Sequence, residues 1–72
     1  MKIVKKYILR DYEDNLLCDK PFDSLEDAET HANKILKDES ICIARQQYEV
    51  VNGVLTPIGE PQDCRIVVLL DS

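Results

Sequence analysis

Along KIVKKYILRDY, apolar and charged side chains interleave with no glycine or proline. The content of Ile, Val and Tyr predicts a first strand from Lys2 to Tyr12. YEDN (Tyr12 to Asn15) supplies turn residues, and Leu16 to Cys18 has the length of a short second strand. Pro21 argues against a helix just before it, because the residue preceding proline is pushed out of helical backbone angles. From Asp23 the period changes. In DSLEDAETHANKIL, Leu25, Ala28, Ala32, Ile35 and Leu36 fall on one stripe at about 100° per residue. Asp23 or Ser24 can accept a hydrogen bond from the free amides of the first turn, and Ser24-x-x-Asp27 has the form of a capping box, with Asp in place of the preferred Glu. Acids crowd the first turn, and Lys34 and Lys37 the last half, as the helix dipole favours. This pattern predicts a helix ending near Asp38 to Ser40.

Beyond it the alternation returns. Ile41 to Val51 reads as a third strand and Val54 to about Ile58 as a fourth. Between them Asn52-Gly53 signals a type I′ hairpin turn, whose two central residues both need positive φ. Val51 then faces Val54, and Val50 faces Leu55. Pro57 puts strand four at a sheet edge or ends it there, since proline cannot donate to a ladder. IGEPQD (Ile58 to Asp63) reads as a loop. Cys64 to Leu70, apolar on both faces, reads as a final, central strand. The expected fold is α+β: a single helix on one face of a four- or five-stranded, mainly antiparallel sheet, in the order ββαβββ, as one domain over residues 1–72.

On strand three, Cys42, Ala44, Tyr48 and Val50 are the expected helix-side residues, with Leu55 opposite Val50. The reverse assignment stays open because Ile41 and Ile43 are also apolar. In the first case Ile43, Val51, Val54, Val67 and Leu69 form a bare apolar face, which a monomer rarely exposes. Hiding about 400 Å² of it would gross ~10 kcal/mol before association costs. A homodimer through that face is the expected assembly.

At 72 residues such a domain buries only about 60–65% of the surface its unfolded chain exposes, so its core must be simple. The net charge of −5 argues against non-specific nucleic-acid binding, which needs cations to displace counterions. Within residues 1–10, Lys5 and Lys6 alternate across the strand, so no basic stripe is expected. Residues 11–29 carry eight acids against Lys20 alone. Among these, Asp11, Glu13, Asp14, Asp23, Glu26 and Asp27 are the candidate contacts to a partner with a basic surface. The longest apolar run is too short to span a bilayer, and no signal peptide is evident. Three widely spaced cysteines without a C-x-x-C suit buried thiols in a reducing interior, hence a cytoplasmic setting.

Candidate chemistry is sparse. His31, the only histidine, falls on the flank of the apolar stripe, one turn after Asp27. No metal site is expected, since zinc needs three or four converging ligands. Asp11, Glu13 and Asn15 match the first ligand positions of an EF-hand. The required glycine is Leu16, however, and the bidentate glutamate is Phe22. The only two glycines, Gly53 and Gly59, make no phosphate-cradling loop. Cys42 and Cys64 sit in apolar strands. Cys18, beside the turn before the helix, is the one thiol to test. Neither catalysis nor a cofactor is expected.

Taken together, KKYILRDYEDN, FDSLEDA and YEVVNGVL give a layout similar to small phage or prophage proteins that inhibit bacterial defence, including anti-CRISPR proteins. That resemblance implies tight, non-catalytic binding to a host nucleic-acid-handling complex. It carries over no functional residue. The alternative is a small structural or regulatory homodimer without nucleic-acid mimicry.

Overall fold

The computed structural model describes residues 2–36 and 40–68. These form β1 (Lys2–Arg10), α1 (Leu25–Ile35), β2 (Ser40–Val51) and β3 (Val54–Val68). The sheet order is β1-β2-β3, antiparallel throughout. The class is α+β. The expected four or five strands in the order ββαβββ are corrected, among the described residues, to three strands in the order βαββ.

Two local causes account for the correction. Leu16 to Cys18 does not make a strand. The segment after the first turn follows the outer edge of β1, and its backbone pairs with β1 at the isolated bridges Leu16–Arg10 and Phe22–Tyr7, with one further bond from the Leu17 N–H to the Leu9 carbonyl. Pro21, next to the second bridge, has no N–H to give. Further on, IGEPQD is not a loop between two strands. It is the irregular middle of one strand of 15 residues. Pairing passes from Gln47–Ile58 to Arg45–Gln62, so Gly59, Glu60 and Pro61 bulge opposite Gln46 alone. Gly59 makes the bulge possible with φ of 72°, a left-handed angle that costs other residues about 1–2 kcal/mol. The Gln46 amide, only 5% exposed, fills the gap. It donates to the carbonyls of Ile58 (3.1 Å) and Gly59 (3.2 Å).

A second, smaller bulge has the larger consequence. Ala44 pairs with Asp63 and Ile43 with Arg65, which leaves Cys64 without a partner. One extra residue exchanges the faces of everything beyond it. Asp63 and Arg65, two apart, therefore point to opposite sides. Arg65 pairs with Glu29 of α1, while Asp63 meets Arg10 and Cys42 on the far side.

The helix begins where the capping pattern places it. Ser24 is extended (φ −135°, ψ 157°), and its hydroxyl oxygen accepts the Asp27 N–H at 3.1 Å. It closes at Leu36, whose N–H donates to the Ala32 carbonyl; of the expected end at Asp38 to Ser40, Asp38 and Glu39 lie outside the described residues. The apolar stripe runs out at Leu36, and β2 is already under way at Ser40. The hairpin turn is as expected: Asn52 and Gly53 have φ of 53° and 78°, and Val51 faces Val54.

The core is Leu9, Ala28, Ala32, Ile41, Ile43 and Val67. Small alanines let the helix approach closely, and β-branched side chains from the sheet fill the space beneath them. This exchanges the two sheet faces relative to the first expectation. Ile41 and Ile43 lie under the helix; Cys42, Ala44, Tyr48 and Val50 are on the side away from it. The apolar segment expected from Cys64 to Leu70, described as far as Val68, is not central either. β2 is the central strand and β3 an edge that runs on past Pro57, so of the two readings of Pro57 the edge holds and the strand end does not.

A candidate interaction surface

An 11-residue helix is about 17 Å long, whereas 12 residues of β2 span about 40 Å. The molecule measures 48 × 20 × 17 Å. The helix thus covers less than half of one face. The other face carries no helix among the described residues.

Register defines that bare face row by row: Lys2–Val50–Leu55, Val4–Tyr48–Pro57, Lys6–Gln46, Ile8–Ala44–Asp63 and Arg10–Cys42–Ile66. Ile66 is 64% exposed and Val68, beyond it on the same side, 51%. Its charges are largely cancelled from within. Lys6 pairs with Asp23. Arg10, with a side chain only 18% exposed, meets Asp63 at 2.6 Å and Asp14 at 3.8 Å. The Cys42 thiol donates to the same Asp63 oxygen at 3.1 Å. Sequence spacing held one missed signal here: Lys2, Lys6 and Arg10 are four apart, so they share a face, with Lys5 on the other. The bulge that brings Asp63 to them had no such signal.

These contacts set acid sensitivity. The Cys42 thiol and the Arg10 guanidinium hold the Asp63 carboxyl below its ordinary value. Hydrogen bonds from Asn15 and Glu13 do the same for Asp11. A carboxyl with a depressed native pKa binds its proton less readily folded than unfolded. Its stabilisation is present above the ordinary aspartate range and is lost as pH falls through the depressed value. Stability should therefore fall on acidification below about pH 4. Asp63→Asn should lower stability at neutral pH and so flatten that acid limb. A urea-unfolding series from pH 2.5 to 7 checks this, and an unchanged acid limb counts against the Asp63 contacts.

The expected self-association face is divided differently. Ile43 and Val67 are core residues under α1. Val51 and Val54 lie on that same side near the hairpin tip, past the helix, and are 48% and 61% exposed. Leu69 falls outside the described residues. Ile43 and Val67 are thereby corrected: buried against the helix, they have no surface to offer a second molecule.

Three of the six acids are already engaged within the molecule. Asp11 is spent inside its own turn, where its carboxylate accepts the N–H groups of Glu13 and Asn15 at 2.9 Å. Asp14, in the left-handed region at φ 64°, lies near Arg10, and Asp23 pairs with Lys6. Lys6 and Arg10 are four positions apart on β1, about 13 Å. Among the described residues, the carboxylates of Glu13, Glu26 and Asp27 pair with no cation.

His31 sits with its ring centroid 5.2 Å from that of Phe22, tilted by 39°, so it packs on the helix flank. Burial, and then the Asp19 charge, push the Cys18 thiol up. That is the opposite of what an activated nucleophile needs. Burial, with help from Asp63, also raises Cys42. Among the described residues no three His, Cys, Asp or Glu side chains gather as metal ligands. No described helix is long and apolar enough to cross a membrane.

No family model, no curated protein and no solved structure matches this chain.

Proposed function

We propose that this chain is a non-enzymatic protein-binding module. The observation that carries it is the bare sheet face, whose apolar rows are interrupted by charges already paired. Such a surface is built to be covered, not to do chemistry. The acids left over, Glu13, Glu26 and Asp27, point to a partner with a basic surface, which the net charge of −5 also favours. Glu26 and Asp27 are on the helix, so that contact is made away from the bare face. The three free cysteines suit action in a reducing interior. The likeness to phage-type inhibitors makes a host nucleic-acid-handling complex the first partner to try.

The test is direct binding to purified basic nucleoprotein complexes, CRISPR effectors among them, across a salt series. Binding should weaken steeply as salt rises. The triple variant Glu13→Lys, Glu26→Lys, Asp27→Lys should lose about tenfold or more. Binding that ignores both salt and the triple variant removes the acidic contact from the proposal.

A further inference from the structure

We infer that the bare sheet face is covered by a second copy of this chain, packed face to face about a two-fold axis. The inference rests on the proposed binding role and names the occupant of that face. Three observations favour a second copy.

The first is size. Three strands about 4.8 Å apart and a β2 about 40 Å long present a face of about 500 Å² per copy, before side-chain relief is added. Two such faces reach the roughly 1,000 Å² that a specific interface requires. The second is charge. Lys6 and Arg10 carry their counterions with them, in Asp23, Asp63 and Asp14. The face can therefore close on an identical face without stranding a charge. Lys2, in the end row, stays at the rim.

The third is shape. Tyr48 and Ala44 lie at equal distances either side of Gln46 on the central strand. Tyr48 is the bulky member, between Val4 and Pro57. Ala44 has a one-carbon side chain and is wholly buried, closed over by its neighbours. A two-fold that reverses the strand direction through Gln46 sets each tyrosine opposite the other copy's Ala44 row, the reciprocal arrangement an isologous contact needs. Glu26 and Asp27 stay outside this contact, so a dimer displays them twice.

Sedimentation equilibrium on the full chain, from about 1 μM to about 1 mM, reads the result. The expected mass is twice 8.3 kDa. Tyr48→Glu should raise the dimer dissociation constant by about 100-fold or more, and Ile66→Lys should raise it as well. Val54→Glu, at the exposed tip of the opposite face, should leave it unchanged. Ile66 is mostly exposed, so its variant keeps the test valid if Tyr48→Glu fails to fold, as far-UV circular dichroism would show. A monomer at 1 mM overturns the inference. So does a dimer that survives both bare-face variants, or one that only Val54→Glu breaks. A monomer that still binds a basic partner in a salt-sensitive way overturns the second copy alone. A dimer sensitive to Tyr48→Glu that binds no such partner overturns the acidic contact and leaves the second copy standing.

Discussion

Ile43→Ala should cost about 3 kcal/mol of folding stability, whereas Val54→Ala should cost well under 1 kcal/mol. Both residues point to the helix side of the sheet, so the contrast isolates burial from strand propensity. Ile43 is wholly buried and, with Leu9, is one of the two largest side chains fully enclosed. Its truncation leaves a cavity between β1, β2 and α1 that two alanines on the helix cannot fill. Val54, at the tip, is 61% exposed and loses little. A domain of this size has about 4–11 kcal/mol in total, so the Ile43 variant should be partly unfolded at moderate temperature. Urea denaturation at matched protein concentration measures both. Equal losses would place the core elsewhere.

The second large effect is expected at Gln46. Its amide holds the carbonyls of Ile58 and Gly59 from a buried position. Gln46→Ala leaves those acceptors to find water inside the bulge, at a cost of about 1–3 kcal/mol. The effect should be local first. Hydrogen exchange of the amides flanking the bulge, on β2 and β3, should accelerate before those of the helix-covered end do, because among the described residues the tip of the hairpin has no second layer. Uniform acceleration across the sheet would show that the bulge and the core open as one unit.

These two residues also mark where reading the chain stops. Val51 to Leu55 holds its turn in its own residues: Asn-Gly tolerates positive φ at both positions, whatever packs on it. The helix start is equally local, since the Ser24 hydroxyl and the Asp27 N–H are three residues apart. The face of β2 that meets the helix is not local. Ile41, Ile43, Cys42 and Ala44 are all apolar, so alternation gives either answer. The choice falls to which set fills the space beside Ala28 and Ala32. The acids were legible as a charge excess. Their pairing was not, because Asp23 and Asp63 find Lys6 and Arg10 across distances of 17 and 53 residues.

By itself, the order of residues determined the helix and its cap, the hairpin and its turn, and the extended character of β1 and β2. These are short-range matters of backbone angle and neighbouring hydrogen bonds. Tertiary structure alone decided that Ile58 to Val68 continues a single strand, that Cys64 is skipped in the ladder, and which side of the sheet lies bare. Each of those depends on a partner strand far away in sequence. A bulge costs or gains nothing until the opposite strand is there to count against it.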